Sequence, residues 1–447
     1  MNVIDAIPHR LREKFLFAAL APIQALLPAA VIEGFCREAG YAWRERKWGP
    51  AVTVLACFWK QLCATASCRQ VEDWVAGLTQ QAPENARDGH EFCAARQRLP
   101  AEIFGRCMMY LGAFASALGA WSFRGLRVEF LDGSTLRTPR TPANVNALGR
   151  SRNKYKKSAL PLLRILLRVC AGTGAVLELA LGPYAASEMF LFRTVLEKLK
   201  SGTLLIVDSG FSSFMVLWLA SQGGNHILAQ QHHMRRGQRL KRLGPGDTLE
   251  VWKRPKRPRT TWADLLPLTA ATLTVRVIER SVCRPGYKPY ALKLCTTLLD
   301  PQLYPADELV LLYLQRWDIE VHLRTLKADY HLQRLTGQTP EIVEKEVYAA
   351  VGAYNAVQAL MTASDSGTPR LSHTRARELV ITYAERMSVA PTVRCPALMK
   401  ELLAFIRSTE RVTQNRPPQP RLIVQRTQVY GVLNSSRAKW LRDYYAA

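Results

Sequence analysis

A chain of 447 residues is longer than one hydrophobic core usually serves, so two or three domains are expected, and a hydrophobic content of 48% is ample for folded structure throughout. Lysine and arginine outnumber acidic residues 61 to 36, a formal charge of +25 that predicts a polyanionic partner. Nucleic acid suits this better than a membrane surface, because the basic residues interleave with globular pattern. The ten cysteines form no Cys-x-x-Cys and no cluster with histidine, which argues against a zinc site and for reduced thiols in a cytoplasm.

The uncharged run from Phe15 to Ile32, behind Arg10, Arg12 and Lys14, imitates a signal peptide or membrane span. Pro22, Gln24 and Pro28 interrupt it, and Asp5 and Glu13 are foreign to a basic leader, so a pair of buried amphipathic helices is expected. Helical pattern follows at 51–63, 71–78, 92–99 and 103–118, with no strand alternation. Residues 1–120 therefore read as an all-α domain. The cluster Arg96-Gln97-Arg98 is compatible with phosphate contact and equally with a solvated helix face.

Near Gly125 the period changes to that of strands. Val128 to Leu131 is the first, running into Asp132-Gly133. Segments 160–170 and 175–181 follow, divided by the hairpin signal Gly172-Thr173-Gly174. Ser187 is a plausible N-cap for a helix through Lys200. The strand Thr203–Val207 delivers Asp208; a helix over 212–221 and a last strand over 226–230 complete the set. A meander followed by alternating helix and strand describes an RNase H-like mixed sheet within an α/β multidomain chain. Between Asp132 and the second strand, Arg137, Arg140, Arg150, Arg152, Lys154, Lys156 and Lys157 would hold a DNA backbone, each neutralised phosphate adding about −0.9 to the log–log salt slope. A disordered basic loop is the plain alternative.

Residues 232–300 read as a β insertion, rich in Arg and Lys and carrying Trp252 and Trp262; the adjacent His232 and His233 would project apart in a strand and are a poor metal pair. The core, 121–231, resumes at 301–340. Pro305-Ala306-Asp307-Glu308 opens what reads as one helix from about Ala306 to Tyr330, with no Gly or Pro inside. Tyr313, Arg316, Glu320 and Lys327 then fall within an arc of about 60°, while Leu311, Leu314, Leu323 and Leu326 can face a core. The remainder, 341–447, is a helical C-terminal region with helices over 341–361, 372–387 and 397–407 and a linker at 415–421.

The spacing Tyr313, two residues, Arg316, three residues, Glu320, six residues, Lys327 resembles the signature of the bacterial insertion-sequence transposases of the type-four family. The resemblance spans nearly the whole chain and is strongest over 128–361; Thr141 to Gly149 resembles the family's loop after its first aspartate. It implies that Asp132, Asp208 and Glu320 form an Asp-Asp-Glu triad holding two Mg²⁺ ions, with Mn²⁺ as substitute. Three gathered carboxylates raise each other's pKa, a cost that divalent cations on oxygen ligands remove. It further implies that Tyr313, Arg316 and Lys327 touch phosphates near the cleaved end. Trp317 would stack near an extruded base, although a core tryptophan remains open, and a tryptophan of the insertion, Trp252 or Trp262, would help hold a flipped base. The N-terminal domain would bind terminal inverted repeats of double-stranded DNA. The C-terminal part would aid pairing of two ends on a homodimer, in a bacterial cytoplasm at the nucleoid. The expected activity is cut-and-paste transposition through a hairpin into target DNA. A metal-dependent nuclease without strand transfer and an inactive, transposase-derived DNA-binding protein are the alternatives. One departure stands: Asp208-Ser209-Gly210 replaces the family's frequent Asp-Arg-Gly, so a cation near the DNA is missing.

Overall fold

The computed structural model describes residues 21–409 except 45–46, 64–66, 79–87, 120, 151–159, 257–259, 284–288 and 365–370, and adds 438, 439 and 442. The described chain begins with helices α1 (Ala21–Gln24), α2 (Ala29–Glu38), α3 (Pro50–Leu62), α4 (Cys68–Leu78), α5 (His90–Arg98) and α6 (Ala101–Gly119). Pro28 separates the first two, as its ring must, and Pro50 sits in the first turn of α3 where no N–H is needed. No helix among the described residues is long and apolar enough to cross a membrane. Arg96 does not face solvent: it is buried and paired with Glu346 at 3.3 Å, so of the cluster's two arginines Arg98 alone keeps an exposed side chain, beside the exposed Gln97.

The centre of the molecule is one mixed sheet. Its strands are β1 (Ser122–Phe123), β2 (Leu126–Arg137), β3 (Leu162–Cys170), β4 (Val176–Pro183), β5 (Thr203–Val207), β6 (His226–Gln230), β7 (Gln238–Gly244), β8 (Asp247–Lys253), β9 (Thr272–Val282) and β10 (Tyr290–Thr296). They lie in the order β4-β3-β2-β5-β6-β10-β9-β8-β7, with β1 beside β2. The meander β2–β3–β4 is antiparallel, whereas β5 and β6 join it in parallel. That is the RNase H-like arrangement, and Gly174 supplies the positive φ of 71° that its hairpin requires. Helix α7 (Pro142–Leu148), capped by Thr141, fills part of the link from β2 to β3, a short helix the pattern did not announce. Helices α8 (Glu188–Glu197) and α9 (Phe214–Gln222) are capped by Ser187 and Ser213.

The strands of the insertion continue the same sheet. β10 pairs antiparallel with β6, Leu294 opposite Gln230, so β6 is an interior strand and not the last one. One apolar cluster accordingly runs from Leu131, Phe192, Phe214 and Trp218 of the core to Trp252, Trp262 and Val275 of the insertion.

After the sheet come α10 (Ala306–Leu314), α11 (Trp317–Asp329), α12 (Pro340–Ser364), α13 (His373–Val389) and α14 (Cys395–Arg407). α12 is buried on nearly every side and packs along α6 and α3. Asn355 of α12 fastens that layer to the sheet, donating to Met108 O at 3.0 Å and Val176 O at 2.8 Å and accepting from Val176 N at 2.8 Å. The approach is so close that a Cβ on Gly112 of α6 would stand 2.1 Å from Val176 O.

Candidate active site

Parallel pairing puts Phe130 opposite Ile206, and that ladder ends there, so Asp132 and Asp208 lie two residues past its last pair. β2 itself does not stop at Asp132. It runs on to Arg137 against β3, which corrects the expectation of a strand ending at the aspartate: the first carboxylate sits within a strand and the second just beyond one. The two strands part at this point, and the gap is where both side chains stand. Each aspartate accepts a bond from the next residue's amide, Asp132 from Gly133 at 2.8 Å and Asp208 from Ser209 at 2.7 Å.

The expected single helix over 306–330 is two helices. Between them the bonds shorten to i→i−3, from Gln315 to Leu312, Arg316 to Tyr313, Asp318 to Gln315 and Ile319 to Arg316. The turn there tightens, which displaces the stripe that a uniform helix would carry. Tyr313 is consequently buried, Leu311 is 64% exposed, and Leu323 and Leu326 reach the core as expected. No glycine or proline causes the break; the reason is tertiary. It lets Tyr313 pack beneath the site while Arg316 turns onto the carboxylates.

Arg316 is the shared cation of the cluster. Its guanidinium lies 3.5 Å from Glu320 and 5.8 Å from the Tyr313 ring centroid. Burial works against its charge, yet Tyr313, Asp208, Asp132 and Glu320 together raise its pKa. Burial likewise pushes the Asp132 carboxyl above the usual carboxylate range; the Gly133 amide and Arg316 oppose that, and the charges of Glu320 and Asp208 add to it. Tyr313 is pushed up to about 12, by burial first and by Asp208 among its neighbours, while the adjacent Arg316 opposes that, and the tyrosine hydroxyl is enclosed. Lys327 donates to Ser134 Oγ; burial lowers its pKa and Asp132 resists that.

Three carboxylates against the Arg316 guanidinium and the Lys327 ammonium still leave the point under-neutralised. Among the described residues no three carboxylate, imidazole or thiol groups already close into a metal cage, and Glu320 leans on Arg316 instead. The donor chemistry nonetheless fits a hard divalent cation, since every candidate ligand is a carboxylate oxygen.

Six of the residues expected from the motif thus converge: Asp132, Asp208, Tyr313, Arg316, Glu320 and Lys327. Trp317 stands beside them 52% exposed, whereas Trp252 and Trp262 are 1% and 2% exposed, sealed in the core under Arg235 and Arg193 respectively. Of the three tryptophans only Trp317 presents a face to solvent in this arrangement. Arg150 is half-buried after α7; Arg152, Lys154, Lys156 and Lys157 lie outside the described residues. His232 and His233 do not project apart, because they sit in a turn and stack at 4.4 Å. Ser134, the partner of Lys327, escaped the sequence reading. Its one signal is its place two residues after Asp132, on the same strand face.

Residues 124–356 match the family described as the transposase DDE domain. The chain is 26% identical over 356 residues to the transposase InsG for insertion sequence element IS4 of Escherichia coli strain K12, covering 75% of this chain and 76% of that protein. A solved synaptic complex of piggyBac transposase with hairpin DNA aligns over 87% of this chain and 85% of its own, at 12% identity and a TM-score of 0.39. The strand order, not that alignment, carries the fold assignment.

Proposed function

The chain belongs to the DDE-domain transposase family, and from that premise we propose that Asp132, Asp208 and Glu320 are its catalytic carboxylates and metal ligands. The protein is a DNA transposase of the insertion-sequence type, an enzyme of DNA cleavage and strand transfer that depends on a divalent metal. The observation that supports this choice of residues is the end of the β2–β5 ladder just before both aspartates, with Glu320 3.5 Å from the Arg316 guanidinium that faces the same point. Mg²⁺ suits an all-carboxylate set, with Mn²⁺ as substitute. Bound there, such ions would activate the attacking oxygen and stabilise the leaving one.

The chain's own groups supply position and charge. Asp132 and Asp208 are each oriented by the amide of the next residue, Gly133 and Ser209. Glu320 would hold a cation through the carboxylate that now lies 3.5 Å from Arg316, and the planar fork of that guanidinium suits a phosphate. Lys327, fixed on Ser134 beside Asp132, supplies a point charge for the same backbone, and the phenol of Tyr313 borders it from beneath. Trp317 offers an exposed π-face on which an extruded base stacks. The substrate is double-stranded DNA at the terminal repeats and the target, cut and joined through a hairpin by a homodimer on paired ends, with the basic segment around Arg150, Arg152, Lys154, Lys156 and Lys157 on the flanking backbone. The work takes place in the bacterial cytoplasm, at the nucleoid.

The test is cleavage of supercoiled DNA carrying the element's ends, in Mg²⁺ and in EDTA, by the parent and Glu320→Gln. Metal-dependent cutting that the substitution abolishes, with end binding retained, is the expected result. Equal cutting by both proteins would sink the assignment of Glu320. Cutting without joined target products would identify a nuclease, and binding without cutting by either would identify a DNA-binding relative.

A further inference from the structure

Outside the site, β9 carries a buried charge at Arg276, whose side chain is fully enclosed. Its guanidinium grips Asp247 of β8 through both ends of the fork, Nε to Oδ1 at 2.9 Å and an Nη to Oδ2 at 2.6 Å. Neutralising Asp247 would take only those two donors. The third nitrogen instead reaches out of the insertion to the turn before α10, donating to Tyr304 O at 2.6 Å and Asp300 O at 3.4 Å. The turn is stiffened from within: Asp300 Oδ1 accepts from Gln302 and Leu303, and Asp300 O accepts from Tyr304 N. Two further arginines hold the next residues, Arg280 on Asp307 at 2.6 Å and Arg124 on Glu308 at 2.8 Å. Those two pairs are solvent-exposed and contribute little. Arg276 is enclosed, bidentate to Asp247 and bound to the backbone of the turn that leads into α10.

We propose that Arg276, locked by Asp247, is a positioning residue through which the β insertion sets the entry of α10 and so the placement of Tyr313, Arg316 and Glu320 against the two aspartates. The proposal rests on the assignment of Glu320 given above. The physical case is a short rigid lever. α10 has nine residues, a length of roughly 14 Å, so an error in the direction of its first turn is carried to Tyr313 and Arg316 at its far end. Tyr313 lies beside Asp208, and the tight turn at 315–316 follows at once. The apolar core alone does not fix this direction: Leu309, Val310 and Leu312 are buried, but Leu311 on the outer side is free to follow a tilt. A residue of the insertion, remote in sequence from the glutamate, thereby sets the glutamate's geometry.

The experiment uses the full chain and two replacements. Arg276→Lys keeps a cation on Asp247 and removes the fork that reaches Tyr304 and Asp300. The pair Asp247→Leu with Arg276→Leu removes both charges together, which an apolar interior tolerates far better than loss of one. For each, thermal midpoint, affinity for end DNA, single-turnover cleavage at saturating DNA, and hydrogen exchange of the α10 amides are measured beside the parent and Glu320→Gln. The expected outcome for whichever replacement keeps the parental midpoint is unchanged end affinity, faster exchange at Leu309 and Val310, and cleavage slowed by about tenfold to a hundredfold. Parental cleavage by such a folded replacement, with Glu320→Gln inactive, would overturn the positioning role and leave the site assignment standing. Parental cleavage by Glu320→Gln itself would remove the carboxylate being positioned, and with it both readings.

Discussion

Two arginine–carboxylate clusters in this molecule use the same chemistry to opposite ends. Arg276 meets one carboxylate and two carbonyls, fully enclosed, with each of its three guanidinium nitrogens hydrogen-bonded. Arg316 meets three carboxylates, and the nearest contact is 3.5 Å. A saturated cluster holds backbone in place. An unsaturated one, with more negative charge than the chain itself neutralises, stores a demand that cations and a DNA phosphate can meet. Charge balance, more than burial, separates structure from site here.

Substitutions make the contrast measurable. The largest effect belongs to Asp208→Asn, which should cut strand cleavage by more than about 10⁴-fold, as loss of a member of a catalytic unit does, while the thermal midpoint holds or rises because repulsion with Asp132 is relieved. Single-turnover cleavage and calorimetry on the same preparation decide it; a lowered midpoint would mean the cluster is structural after all. Asp247→Ala should behave inversely, costing about 3–5 kcal/mol in denaturant unfolding because the fully buried Arg276 is left uncompensated. A loss under about 1 kcal/mol there would place the pair with ordinary surface salt bridges.

Smaller changes sharpen the edges. Trp317→Ala should leave stability nearly untouched, since the residue is 52% exposed, and weaken binding of ends with an unpaired base by about 1–3 kcal/mol in a titration by fluorescence anisotropy. Equal affinity for paired and unpaired ends in parent and variant would remove its stacking role. The last test concerns neither cluster. His373 stacks on Tyr354 at 4.7 Å with both ring nitrogens shielded, and burial holds its pKa down at about 3. The native state therefore binds no proton there between its ordinary value of 6.5 and about 3, while the unfolded chain does, so stability falls as pH falls through that window. The slope is at most about 1.4 kcal/mol per pH unit, and His373→Phe should flatten it in melts from pH 7 to pH 5.

Much of this was legible in the chain. Apolar runs entering Asp132 and Asp208 marked two strands, Ser187 marked a cap, and Gly172-Thr173-Gly174 marked a hairpin, because each signal is local and the backbone obeys it. The spacing from Tyr313 to Lys327 identified the family, since the residue types are those that carboxylate and phosphate chemistry needs. What was not legible depends on partners far away in sequence. The break at 315–316 has no helix-breaking residue; it arises where Tyr313 is drawn under Asp208 and Arg316 toward three carboxylates. The insertion's alternating pattern said strand but not that β10 would pair with β6 and make one sheet of both parts, because register belongs to a pair of strands and not to either one. Trp252 and Trp262 could not be told from Trp317 by composition; the core closed over the first two and left the third open. Residue types and local spacing determined which groups this protein has for its chemistry. Only the packing of distant segments decided which of them meet, because charge balance and solvent exposure are properties of the assembled neighbourhood.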